Sequence, residues 1–259
     1  MNEAFDDPIH TARIALACLD LTSLNDADTE ADIDTLCTKA HGPHGDVAAV
    51  CVWPRFVARA RARLPANICV AAVANFPDGS LDVERALRDT EVIVEAGGDE
   101  VDLVLPYRAF MGAQTKACAA LVAAVRRATV GCTLKLIVES GELKDVALIR
   151  VACVLGLDEG VDFLKTSTGK TPVSATPEAA RTMLDTIAVH ARGAEVGFEA
   201  SGGVRRVADA AVYIALTSEL LGTACLTPMR LRFGASGLLA DIEATLAGSA
   251  APAATGGHY

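Results

Sequence analysis

ICVAAVANFPDGSLDVERALRDTEVIVEAGGDEVDLVLP, residues 68–106, holds one full turn of the pattern that decides the fold. Its opening, ICVAAVA (68–74), is a short apolar run without polar interruption, as expected of a strand buried on both faces. SLDVERALRDTEVIVEAG (80–97) spaces its apolar residues as a helix does. Ser80 reads as its N-cap, Glu84 falls in the first turn, and Gly97 ends it. EVDLVLP (100–106) is a second apolar run, closed by proline. Strand, helix and strand at this spacing imply parallel pairing through a right-handed crossover.

The pattern repeats along the chain. The strand candidates are IALACLDL (14–21), VAAVCVW (47–53), ICVAAVA (68–74), EVDLVLP (100–106), CTLKLIV (132–138), VDFLKTS (161–167), EVGFEAS (195–201) and MRLRFGA (229–235). Helical stretches lie between them. DADTEADIDTLCTKA starts from Asp26 or Asp28, ATPEAARTMLDTIAVHA from Thr176 with Pro177 first in the helix, and RRVADAAVYIALTSELLG ends at Gly222. These units predict an α/β fold, a single-domain (β/α)8 TIM barrel over residues 1–247, with room for a short helix under the barrel before the first strand. An open doubly wound sheet is the alternative. The small residues of 248–259 predict a flexible C-terminal tail.

Composition narrows the function. The chain has 259 residues, 51% of them hydrophobic, and a net charge of -10. That charge argues against nucleic acid, which requires clustered Lys and Arg. Arg55, Arg59 and Arg63 are four apart and read as a solvated helix face. Eight cysteines without CxxC spacing read as buried thiols. The histidines 10, 41, 44, 190 and 258 are scattered, so no metal site is expected. The N-terminus lacks the basic and apolar regions of a signal peptide, and no apolar run reaches about 18 residues. A soluble, cytoplasmic protein follows as the expectation.

Four ionisable residues interrupt the apolar strands: Asp102, Lys135, Lys165 and Glu199. They sit on four consecutive strands, and period two allows all four to point into the barrel near its C-terminal end, where barrel enzymes work. Two acids and two lysines also make a neutral core network, but buried ion pairs are costly and seldom serve stability alone. A lysine in a desolvated pocket is a candidate amine nucleophile. Neutral lysine adds to a carbonyl and gives an imine, and the protonated imine draws electrons from a C–C bond beta to it. Asp102 is placed to shuttle protons.

Three glycine-containing loops follow the last three strands: TSTGK (166–170), SGGVR (201–205) and GASG (234–237). Glycine lets backbone N–H groups approach an anion, and Lys170 and Arg205 add charge. Together they point to a phosphorylated substrate.

The sequence resembles the deoxyribose-phosphate aldolases nearly end to end. The resemblance rests on LDLTSLNDADT (19–29), AAVCVWPRF (48–56), VANFPDG (73–79), GGDEVDLVLPYRAFMG (97–112), LKLIVESGELKD (134–145), DFLKTSTGKTPVSATPEAAR (162–181), SGGVR and RFGASGLL (232–239). It implies a class I aldolase that cleaves 2-deoxy-D-ribose 5-phosphate to D-glyceraldehyde 3-phosphate and acetaldehyde in deoxynucleoside catabolism. No cofactor is implied, and a homodimer is possible within the family. By the same resemblance Lys165 is the Schiff-base lysine, Asp102 the proton relay, and Lys135 its neighbour. Gly169, Lys170, Gly202, Gly203, Arg205, Gly234 and Ser236 match the phosphate loops. Cys51 matches a cysteine open to attack by aldehydes, and Tyr259 a C-terminal tyrosine that assists proton transfer.

Two positions depart from the family. Glu199 stands where GFK would place a lysine, and Gly237 where a serine is common. A cation at 199 lowers the Lys165 pKa; a carboxylate raises it. Three readings remain: an active aldolase in which Glu199 shares acid–base work, an aldolase for another aldehyde pair, and an impaired barrel that only binds sugar phosphate.

Overall fold

The computed structural model describes residues 7–248. Eight parallel strands close into a barrel: β1 (Leu19–Thr22), β2 (Ala49–Val52), β3 (Cys69–Ala74), β4 (Glu100–Val104), β5 (Thr133–Ile137), β6 (Phe163–Lys165), β7 (Gly197–Ser201) and β8 (Leu231–Ala235). β1 pairs with both β2 and β8. No edge is left open, which excludes the doubly wound alternative.

Strands β4 to β8 carry two kinds of residue in alternation. Leu103, Leu134, Leu136, Leu164, Phe198, Leu231 and Phe233 are fully buried and form part of the continuous hydrophobic core. The residues between them on β4, β5, β6, β7 and β8 are Asp102, Lys135, Lys165, Glu199 and Arg232. This alternation follows from the pleat, which turns neighbouring side chains to opposite faces.

Several boundaries differ from the sequence expectation. The run 14–21 is not one strand. Its first residues belong to the helix Pro8–Ala17, which Asp7 caps by accepting from Ile9 N and which has Pro8 at its start. Thr11, Ala12, Ala15 and Leu16 are its buried face, a helical spacing that an all-apolar run conceals. That helix packs against the helices Val207–Leu221 and Leu238–Leu246.

The cap of helix Glu30–Ala40 is Thr29, in a capping box with Asp32, and not Asp26 or Asp28. Asp28 instead orders its own loop by accepting from Ser23 Oγ and Asn25 N. Asp82, not Ser80, caps helix Val83–Glu95, while Ser80 Oγ donates to Asn75 Oδ1. Thr176 and Pro177 open helix Pro177–Val189, and Gly222, at φ +92°, ends helix Val207–Leu221, both as expected.

The basic cluster is held by acids, with Arg59 and Arg63 both paired to Asp34. Among the described residues no helix is long and apolar enough to cross a membrane. Tyr259 and nearly all of the expected tail lie outside the described residues.

Candidate active site

The barrel interior holds an ion cage. Strand register sets Asp102 opposite Lys135, Lys165 opposite Glu199, and Glu199 opposite Arg232. The four residues expected to converge do so. Lys165 Nζ lies 2.5 Å from Asp102 Oδ2 and 2.8 Å from Glu199 Oε1. Lys135 Nζ lies 2.9 Å from Glu199 Oε2 and 3.5 Å from Asp102 Oδ1. Glu199 therefore bridges the two lysines.

Beneath them a second set completes the cage. Lys135 also pairs with Asp20, and lies 2.8 Å from Glu100 Oε2. Arg232 reaches Asp20 Oδ1 at 2.6 Å and Glu100 Oε1 at 2.8 Å. Asp20, Asp102, Lys135 and Glu199 have no solvent contact, whereas Lys165 is 4% exposed. Lys135 is enclosed by four carboxylates and Lys165 by two.

The charges do not balance if every group is ionised. Four carboxylates (Asp20, Glu100, Asp102, Glu199) face three cations (Lys135, Lys165, Arg232). One proton restores neutrality. Burial raises the Glu199 pKa, Lys135 and Lys165 work against that rise, and the net shift is upward. Asp20 goes the other way. Burial opposes its ionised form, but Arg232 and Lys135 outweigh burial and hold it below the carboxylate range. Two acids pushed apart in one cage divide the labour: Asp20 stays an anion and Glu199 can carry the proton. Burial lowers the Lys165 pKa, yet Asp102 and Glu199 raise it more, so the resting side chain is an ammonium.

Cys51 is fully buried, with Sγ 3.8 Å from Asp102 Oδ2. Burial, then Asp102, push its thiol well above the ordinary value. It packs against the acid as a protonated thiol.

The expected phosphate residues spread along one arc of the C-terminal rim, after β6, β7 and β8. Gly169 has φ +75°, a conformation costly for any residue with a Cβ. Gly203, Lys170, Arg205 and Ser236 are exposed, and Gly202 is buried with its N–H directed at Gly234 O, 3.4 Å away. Lys170 Nζ donates to Leu24 O at 2.8 Å, which ties this arc to the loop after β1. Gly234 is placed differently from the rest. It lies inside β8, and a Cβ there would stand 2.7 Å from Glu199 Oε1 and 3.5 Å from Lys165 Nζ. Its bareness makes room for the cage.

Comparison with known proteins gives the family and supports the fold. The family model of the DeoC/LacD family aldolases matches residues 14–240. The deoxyribose-phosphate aldolase of Agrobacterium fabrum (strain C58 / ATCC 33970) is 45% identical over 254 residues, 97% of each chain. The chain belongs to the DeoC/LacD aldolase family. A crystal structure from Coccidioides immitis, provisionally assigned as a deoxyribose-phosphate aldolase, is 27% identical with a TM-score of 0.78, covering 88% of this chain and 85% of that one. An apo structure from Toxoplasma gondii ME49, assigned in the same provisional way, has a TM-score of 0.85 over 93% of this chain and 97% of its own. At 22% identity it bears on the fold.

In this DeoC/LacD aldolase, Asp20, Glu100 and Arg232 are the cage residues that sequence reasoning passed over. Their signal was present. Asp20 sits between Leu19 and Leu21, Glu100 two residues before Asp102 on the same face, and Arg232 between Leu231 and Phe233. Each is an ionisable residue at the inward phase of a strand, like the four that were picked out. The sequence expectation named polar breaks only on the fourth to seventh strands, so Asp20 and Arg232, on the first and eighth, and Glu100, at the edge of its run, went unnamed.

Proposed function

We propose that the chain is a deoxyribose-phosphate aldolase that works through an imine on Lys165, with Asp102 and Glu199 moving protons around it. The observation that carries this reading is the setting of Lys165: the less enclosed of the two cage lysines, hydrogen-bonded to Asp102 and ion-paired with Glu199. The substrate, 2-deoxy-D-ribose 5-phosphate, follows from the Agrobacterium relative's name and from the glycine- and cation-bearing rim.

The amine must first lose a proton. Asp102 is 2.5 Å away and accepts it within an existing hydrogen bond. In a dry cage the neutral pair competes with the ion pair, because two charges there lack water's stabilisation. The amine adds to C1 of the open-chain sugar, and the carbinolamine hydroxyl leaves as water with the proton that Asp102 holds. An iminium cation then faces a regenerated carboxylate.

Cleavage of C2–C3 sends its electron pair into the iminium and gives an enamine. The C3 hydroxyl proton passes to a carboxylate of the site as glyceraldehyde 3-phosphate forms. Protonation at C2 and hydrolysis release acetaldehyde and restore Lys165. Each proton taken up is returned. In this scheme Glu199 is the second carboxylate beside the amine and the holder of the balancing proton, and Lys135 fixes Glu199 from behind through a hydrogen bond to Oε2. The rim, with Lys170 and Arg205, receives the phosphate. A barrel that only binds sugar phosphate has no observation in its favour beyond the Glu199 replacement. The eight free cysteines fit a reducing compartment. The homodimer remains a proposal, for light scattering to measure.

The test is to incubate the protein with deoxyribose 5-phosphate, reduce with borohydride, and locate the added mass by peptide mass spectrometry. The expected result is an adduct on Lys165, absent from Lys165→Ala. An adduct on another lysine, or none on folded protein, overturns the mechanism.

A further inference from the structure

One buried carboxylate has no part in the ion cage. Glu139 follows β5, is fully buried, and holds a left-handed backbone at φ +55°, ψ +55°. Non-glycine residues seldom adopt that conformation, and it clusters where a site over-determines the chain. Among the described residues no salt bridge pairs it with a cation within 4 Å. Burial raises its pKa, hydrogen bonds from Thr168 and Thr171 lower it, and the neighbouring acid Glu142 raises it again. An anion buried without a counter-cation is costly, so its hydrogen bonds show what it holds.

Those bonds all run to the first rim loop. Glu139 Oε2 accepts from Thr168 Oγ1 at 2.5 Å and from Thr168 N at 3.3 Å. Oε1 accepts from Thr171 Oγ1 at 3.2 Å. Thr168 Oγ1 in turn accepts from Lys170 N at 3.1 Å. A chain of carboxylate, hydroxyl and amide thus pins the turn Thr168–Gly169–Lys170, and each bond polarises the next.

We propose that Glu139 is a positioning residue for the substrate's phosphate, holding through Thr168 the Gly169–Lys170 turn in the shape that receives the anion. This rests on the reading of residues 166–170 as a phosphate loop.

The experiment compares kcat and KM for 2-deoxyribose 5-phosphate and for unphosphorylated 2-deoxyribose in Glu139→Ala, Glu139→Gln, Thr168→Val and Lys170→Met. Loss of one charge-assisted hydrogen bond predicts a KM for the phosphorylated sugar raised about tenfold in Glu139→Ala, with kcat/KM for the free sugar within about twofold. Glu139→Gln keeps an acceptor oxygen and recovers most of the loss. Thr168→Val repeats the selective defect without touching the left-handed residue, which guards against a Glu139 variant that fails to fold. Equal effects on both sugars, or none on either, overturn the positioning role. Lys170→Met separates the two ideas. If it is selective while Glu139→Ala and Thr168→Val are not, the phosphate loop stands and the role of Glu139 falls. If Lys170→Met is itself unselective, the phosphate-loop reading fails and takes the proposal with it.

Discussion

Glu199 Oε1 stands 2.8 Å from Lys165 Nζ, and the two residues face each other across neighbouring strands. On the proposed mechanism this is the amine whose proton leaves. Glu199→Gln keeps the shape and removes the charge that Glu199 carries once it has lost its proton, so in that pH range the Lys165 pKa falls. The ascending limb of kcat/KM against pH then moves to lower pH than in the wild type. A limb that stays in place would show that Glu199 does not govern the amine.

Glu199 also carries a stability signature. Its pKa is raised on folding, first by burial. A carboxyl raised in the folded state contributes stability that is full below its unfolded value and lost as pH rises through the folded one. The wild type therefore loses stability relative to Glu199→Gln as pH climbs above the ordinary 4.5. Urea unfolding of both proteins over a series of pH values reads the difference, and a flat difference refutes the raised carboxyl.

Asp20 anchors two cations, Lys135 and Arg232. Asp20→Asn removes a charge-assisted partner from each, while Glu100 still pairs with both, and should cost about 1.5–3 kcal/mol. In the wild type its pKa is held low, so its contribution is present above the unfolded value and is lost as pH falls through the folded one. Denaturant midpoints of the variant measure the loss. A change below about 1 kcal/mol means that the cage repacks.

Gly234→Ala inserts a methyl 2.7 Å from Glu199 Oε1 and 2.9 Å from Ser201 Cβ. Overpacking of this kind costs about 1–3 kcal/mol and displaces the carboxylate from Lys165. Turnover should fall by more than about tenfold, out of proportion to the stability loss. Normal kcat in a destabilised variant would separate the cage geometry from catalysis.

Cys51 should resist thiol reagents. It is fully buried and its thiol is pushed well above the ordinary value by burial and Asp102. Labelling of native protein followed by peptide mapping should leave Cys51 unmodified until denaturant is added. Fast native labelling at this position would mean that the barrel opens.

The strands were legible because parallel strands covered on both faces read as apolar runs bounded by turn residues. The cage was legible for the same reason: Lys135 or Asp102 in such a run has no use on the helix-facing side. The segment 14–17 misled because IALA, apolar throughout, has no period to distinguish helix from strand. Ser80 misled as a cap because Asp82, two residues on, offers a better acceptor to Arg85 N. Glu139 could not be found in this way. Its partners lie 29 and 32 residues later, and its left-handed backbone is set by tertiary packing.

The ion pair between Arg232 and Asp20 joins residues 212 apart. Asp20 emerges early from the ribosome and its guanidinium partner near the end. Until β8 docks beside β1, the cage lacks a cation and the proton balance of Lys165 is not yet set. A nascent or truncated chain with seven strands in place has the reactive lysine without its electrostatic setting. On the proposed mechanism, imine formation on Lys165 would report closure of the last strand, with the amine unready in a chain that is still being made.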